Sequence, residues 1–232
     1  MNKSQKLGIQ GRPDVPPRLF DLVPRYIEKY GYKDCLFAGK VDRQWVKYNG
    51  QKFYDMTNSI SHGLLKLGIK KGDRIALIAT NCPEWNMIDF AIQQVGAICI
   101  PIYPTISHDD YDYIFKHSET SLVFVINKHL YNKVSDIITS TPSIKDTYLI
   151  RASEGMKSLQ ELIELGNEYR DEAALEASKA EVKNEDVATI IYTSGTMGTP
   201  KGVMLTHRNI LSVVEYLCPL YPIDETHDAL SY

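Results

Sequence analysis

The sequence is short of the features that mark several protein classes. It has four cysteines in 232 residues, Cys35, Cys82, Cys99 and Cys218, widely spaced and without a C-x-x-C pair, so neither a disulfide framework nor a paired-cysteine metal or redox motif is written into it. No apolar stretch near Met1 has the form of a signal peptide, and a reducing cytoplasm is the compartment that fits. No apolar run approaches the roughly 20 residues that span a bilayer; the longest, residues 95–102, is broken by Gly96 and Pro101. Peripheral membrane contact is left open, because a surface patch needs no such run. A basic excess is missing too. With 26 Lys and Arg against 29 Asp and Glu, the chain lacks the electrostatic footprint of a nucleic-acid binder. His62, His108, His117, His129 and His227 fall in no H-E-x-x-H or Cys/His grouping, which points to surface or core histidines.

The hydrophobic content of 44% is ordinary for a globular chain with a sizeable core. Residues 1–16 are polar and rich in Gly and Pro, which predicts an extended lead-in. Leu19, Leu22, Val23, Ile27 and Tyr30 then recur at helical spacing, with Pro24 in the first turns and Gly31 as a stop. Phe53, Met56, Ile60, Leu64 and Leu67 predict a second helix closed by Gly68. From Arg74 the rhythm changes: strands at residues 74–79, 97–102, 121–126 and 147–150 alternate with helices at 83–96, 107–117, 128–139 and 159–169. Such alternation predicts an α/β fold with a mainly parallel sheet covered by helices on both faces. Residues 161–186, rich in Glu, Ala, Lys and Asn, predict an exposed helix and a connector before a strand near Val187.

The stretch from Asp186 to His207 (DVATIIYTSGTMGTPKGVMLTH) is the most informative. A β-branched run ends at Tyr192, and residues 203–205 are apolar again ahead of a helix near Arg208, so the polar segment between them joins two strands. Gly195, Gly198 and Gly202 let backbone N–H groups approach an anion. Thr193, Ser194, Thr196 and Thr199 add hydroxyl donors or oxygen ligands for Mg²⁺, Pro200 stiffens the turn, and Lys201 supplies a compact charge against a polyphosphate. A plain hairpin loop also favours Gly, Ser and Thr, but it does not call for three glycines, four hydroxyls and a lysine within ten residues. A Walker loop is disfavoured by the order of residues, since its lysine follows a glycine and opens a helix, whereas here Lys201 precedes Gly202 and a strand follows; G-x-G-x-x-G is absent.

Tyr192 to Gly202 (YTSGTMGTPKG) closely resembles the signature loop of the AMP-forming acyl-CoA synthetase, adenylation-domain and luciferase superfamily. Residues 67–73 (LGIKKGD), 81–85 (NCPEW), 96–105 (GAICIPIYPT) and 203–209 (VMLTHRN) look like its long-chain fatty acyl branch. The resemblance implies that residues 17–232 are the N-terminal part of that family's large, AMP-binding domain, with a phosphate loop at 192–202 and the C-terminal domain absent. It implies that Thr193, Ser194, Gly195, Thr196, Gly198 and Lys201 surround the β- and γ-phosphates of ATP, with a threonine hydroxyl, assigned to Thr193, near Mg²⁺; Thr199 and Gly202 complete the expected nucleotide-binding set. Met197 departs from the family's usual threonine, which removes one donor worth about 1 kcal/mol where that bond is made. The implied reaction is attack of a fatty acid carboxylate on the α-phosphorus of ATP, followed by displacement of AMP by coenzyme A. Lys201 would neutralise the leaving pyrophosphate electrostatically.

The resemblance also reads residues 228–232 (DALSY) as the opening of a strand, which makes the expected chain a fragment inactive alone. A noncatalytic nucleotide-binding module, an adenylate-forming ligase for another carboxylate, and a P-loop kinase or ATPase stand as alternatives, the last disfavoured by the residue order above. Thr206 is expected to cap the helix at Arg208 and His207 to be structural. Residues 109–112 after Ser107 read as a helix N-terminus rather than a metal site. Trp85, Tyr103, Tyr111 and Tyr113 are expected to pack in the core or between helices.

Overall fold

A computed structural model describes residues 15–231 apart from 42, 194–198, 222, 223 and 225. Most of the expected lead-in therefore lies outside the described residues; Val15 and Pro16 carry no regular structure. A short 3-10 turn (Leu19–Asp21) runs into α1 (Leu22–Tyr30), which ends at Gly31 as its spacing predicts. An antiparallel hairpin follows, β1 (Phe37–Val41) and β2 (Gln44–Tyr48). Periodicity did not reveal it, because Ala38 and Trp45 stand at exposed positions and Gly39 at a covered one, which blurs the apolar–polar alternation, and because its turn includes Arg43 at φ 64°, a left-handed conformation that glycine or asparagine would normally announce.

The next elements keep to the predicted alternation: α2 (Gly50–Lys66), β3 (Arg74–Ile78), α3 (Pro83–Gln94), β4 (Ile98–Ile102), α4 (His108–Ser118), β5 (Leu122–Val125), α5 (Lys128–Ser140) and β6 (Asp146–Leu149). Two helices, α6 (Leu159–Tyr169) and α7 (Glu172–Glu181), occupy the region read as an exposed helix and connector, and α6 is half core, burying Leu159, Leu162, Ile163 and Gly166. The chain then forms β7 (Val187–Thr193), β8 (Lys201–Thr206) and α8 (His207–Leu217). Residues 227–231 form no strand, unlike the reading of DALSY as a strand opening; among the described residues their contacts are a local turn of His227 with Asp224 and a side-chain bond from Asn81 to the Ser231 hydroxyl at 3.0 Å, not a strand ladder.

The main sheet has the order β6-β5-β3-β4-β7-β8, parallel except for β8, which runs antiparallel to β7. Because side chains alternate along a strand, each parallel strand feeds two cores. Ile75, Leu77, Leu122, Phe124 and Tyr148 point into a cluster with Phe53, Ile60, Leu64, Met87, Ile92 and Leu162 from α2, α3 and α6. Ala76, Ile78, Val123, Val125 and Leu149 point the other way, against Ile114, Phe115, Val134 and Ile137 from α4 and α5. A strand buried on both faces reads as a continuous apolar run, which is why residues 74–78 were legible.

Candidate functional site

The helix faces decide where a ligand can sit. From β3 the chain turns into α3 on one face of the sheet, and from β4 into α4 on the other. Since β4 and β5 lie on opposite sides of β3, the two crossovers part there. In open α/β sheets such a switch point leaves a crevice at the carboxyl ends of the strands. Residues 79–82 and 103–107 border it, and β7 lies next to β4.

The ribbon of β7 and β8 carries the residues singled out from the sequence. β7 shares a paired position with β4 only at Cys99↔Thr189, whereas it pairs with β8 from Val187↔Thr206 out to Thr193↔Lys201. The Thr189 hydroxyl donates to the Cys99 carbonyl at 2.9 Å and secures the root. Thr193 and Lys201 face each other as the last pair, both exposed, and Thr199 is exposed just before Lys201. Ser194, Gly195, Thr196, Met197 and Gly198 lie outside the described residues. Lys201 and Gly202 are thus strand residues rather than loop residues. Gly202 sits opposite Tyr192, where a Cβ would lie 2.9 Å from Ile190 Cγ2 and 3.3 Å from Tyr192 Cζ. Its missing side chain makes room for the ribbon's own packing.

A contact that sequence reasoning missed fastens the ribbon to α4. The Tyr192 hydroxyl lies 2.7 Å from His117 Nδ1, His117 stacks on Tyr113 with centroids 5.1 Å apart, and Tyr113 meets Tyr192 edge-on. Seventy-five residues separate Tyr192 from His117, so no local pattern could have joined them. Burial, and next the neighbouring Tyr113, push the Tyr192 phenol above its ordinary pKa, keeping it protonated near neutral pH.

At the crevice rim, Arg151 beyond β6 meets Glu84 in the first turn of α3 at 2.7 and 3.2 Å, with the Tyr48 hydroxyl 3.4 Å from Glu84. Burial raises the Glu84 carboxyl, and the Arg151 bonds outweigh it, so the net shift is downward. Cys82, beside this pair, is pushed up to about 11 by burial first and by Glu84 second, which leaves its thiol a poor nucleophile. Tyr103 is 76% exposed on the loop after β4, contrary to the packing expected of it, while the buried Tyr111 donates its hydroxyl to the Tyr103 carbonyl at 3.0 Å.

His207 is buried away from the crevice. Its Nδ1 accepts the Leu19 N–H at 3.2 Å, Phe20 lies edge-on to its ring, and burial pushes its pKa down to about 4. Thr206 caps α8 through a reciprocal pair with Asn209, as expected, and Ser107 caps α4 ahead of Asp109 and Asp110. Among the described residues no group of three His, Cys, Asp or Glu is placed to hold a metal ion, and no helix is long and apolar enough to cross a membrane.

The pattern of the AMP-binding enzyme family matches residues 24–232. A long-chain-fatty-acid–CoA ligase of Mycobacterium bovis is 33% identical over 180 residues, covering 78% of this chain and 30% of that protein. A chloroplastic long-chain-fatty-acid–[acyl-carrier-protein] ligase of Arabidopsis thaliana is 33% identical over 210 residues, covering 84% and 29%. Among solved structures, a long-chain-fatty-acid–CoA ligase from Archaeoglobus fulgidus superposes with a TM-score of 0.70 at 25% identity, covering 90% of this chain and 41% of that one. An anthranilate CoA ligase holding anthranoyl-AMP gives 0.71 at 21%, covering 88% and 38%, a likeness of fold. The chain spans about 30% of the length of the curated relatives it matches.

Proposed function

We propose, on the premise that this chain belongs to the AMP-binding enzyme family, that it carries the ATP phosphate-binding element of an acyl-activating ligase whose carboxylate substrate is a long-chain fatty acid. The observation that carries the reading is the ribbon. It pairs Thr193 with Lys201 at the mouth of a Gly- and Thr-rich loop, beside the carboxyl ends of a parallel sheet.

The chemistry follows from charge. Attack of a carboxylate on the α-phosphorus of ATP brings two anions together and releases pyrophosphate, and a fixed cation at the β- and γ-phosphates favours both events. Lys201 is suited to this because the strand holds its backbone while its ammonium group reaches a phosphate as a point charge. The loop's backbone N–H groups and the hydroxyls of Thr193, Ser194, Thr196 and Thr199 would hold the remaining oxygens. Mg²⁺ takes oxygen ligands and binds through nucleotide phosphates; the Thr193 hydroxyl is one such oxygen, and the ion would supply charge neutralisation. Coenzyme A enters as the acceptor of the acyl group in the complete reaction, and the fatty acid is drawn from the activities named for the relatives.

Calorimetric titration of the chain with ATP and MgCl₂ tests the reading. Saturable binding is expected, weakened roughly 10- to 100-fold by Lys201→Ala, the loss of a charge-assisted bond. Binding that is absent, or equal in the two proteins, would overturn it.

A further inference from the structure

We infer that the outer face of the β1–β2 hairpin is a contact surface for an anionic lipid bilayer. The alternation of exposure along both strands sets which residues look outward. Phe37, Gly39 and Val41 of β1 and Val46 and Tyr48 of β2 are at least partly covered, while Ala38, Lys40, Trp45 and Lys47 are exposed. The register places Lys40 opposite Trp45 and Ala38 opposite Lys47, so one side of a two-stranded sheet presents an indole between two ammonium groups. Trp45 is 59% exposed, and the Lys40 ammonium sits 5.0 Å from its ring centroid.

The sequence flanking the hairpin carries an excess of the same charge, with Lys52 lying over the buried Tyr48 on the covered side. Residues 25–52 contain Arg25, Lys29, Lys33, Lys40, Arg43, Lys47 and Lys52 against Glu28, Asp34 and Asp42. This stretch is therefore net +4 by formal count in a chain of net −3. Tyr32, 74% exposed, lies in the turn leading to the hairpin.

Size and chemistry select the partner. Five paired residues make a face about 17 Å long and roughly 10 Å wide, under 200 Å², too small for the ~800 Å² per partner of a stable protein interface. A bilayer sets no such minimum. One indole at headgroup depth with flanking lysines suffices for weak, reversible, salt-sensitive attachment, because the ring is apolar with a polar N–H and each lysine gains from the negative surface. A nucleic acid is the poorer match, since two lysines and one indole on a flat ribbon offer neither a base-reading element nor a continuous track for phosphates. The inference does not depend on ATP binding.

The test uses the 232-residue chain with vesicles of phosphatidylcholine, alone or with about 30% phosphatidylserine, in co-sedimentation and tryptophan-emission measurements. Expected are partition onto the anionic vesicles only, a blue shift that disappears in Trp45→Ala, and release by 0.5 M salt on the order expected from screening. Lys40→Glu combined with Lys47→Glu should weaken partition roughly thirtyfold or more, while Lys128→Glu with Lys133→Glu, exposed on α5, should leave it unchanged. Matching thermal unfolding curves would show that the variants fold. Failure to bind anionic vesicles, undiminished binding by the hairpin variant, or hairpin-dependent binding to duplex DNA or RNA in place of vesicles would overturn the inference.

Discussion

Asp89 and His207 give the molecule two opposed responses to acid. Burial pushes the Asp89 carboxyl up to about 6 although Gln93 and the Cys99 thiol donate to it. Its contribution to stability is full below the unfolded value near 4 and is lost as pH rises through about 6, because the folded state holds the proton more tightly. His207 works in the other direction. With a folded pKa of about 4 against an ordinary 6.5, its contribution is present above 6.5 and is lost as pH falls toward 4. Asp89→Asn should therefore raise stability at pH 7.5, by up to about 3 kcal/mol, and by little at pH 4, as read from urea midpoints. The variant should lose stability on acidification more steeply than the parent, because His207 is then unopposed. An equal gain at both pH values would contradict the assignment. These side chains were identifiable in the sequence only as a polar residue in a helix and a histidine beside a cap; their titration comes from what packs over them.

At the scale of elements, the packing of α2 on α6 runs through glycine. A Cβ on Gly166 of α6 would lie 1.8 Å from the Ser59 carbonyl oxygen of α2, and one on Gly63 would lie 2.6 Å from the Leu162 carbonyl oxygen. The helices cross with backbones in contact, and the Ser59 hydroxyl reaches Asn167 Oδ1 at 2.7 Å. Gly166→Ala should cost about 3 kcal/mol or more, beyond the usual overpacking range because backbone rather than a side-chain tip must move; the drop in unfolding temperature measures it. An alanine that leaves the melting point unchanged would mean the helices separate freely. Helix propensity predicts the opposite sign, since alanine is the better helix former. Here local preference and packing disagree, and packing decides. The ribbon teaches a similar lesson: its strands and residue types were legible, while its fastening through Tyr192, His117 and Tyr113 was not.

Over the whole molecule, stability is expected to be graded across the sheet. β3 and β5 are paired on both sides and buried on both faces, whereas β8 is an edge strand with Met204 65% exposed. Native-state hydrogen exchange should be slowest at residues 75–78 and 122–125 and faster along β8 by roughly a hundredfold or more, since local opening of an edge exposes little core. Uniform protection would mean that ribbon and sheet open as one unit. The ribbon is held to the rest of the molecule at Thr189 and through Tyr192 on His117 and Tyr113, so β7 is expected to exchange more slowly than its partner β8.

The sequence by itself determined the class of fold and the order of its elements, because strands buried on both faces and helices with one apolar stripe leave patterns within a few residues of each other. It also carries, at adjacent positions, the glycines, hydroxyls and lysine on which the proposed phosphate-binding role rests. Only the tertiary structure decided that Lys201 and Gly202 belong to a strand, that His207 is buried on Leu19 and Phe20 while His117 holds Tyr192, and that Lys40 and Trp45 share an outer face. Those are contacts between segments brought together by the packing of the whole chain, and no short window of sequence contains them.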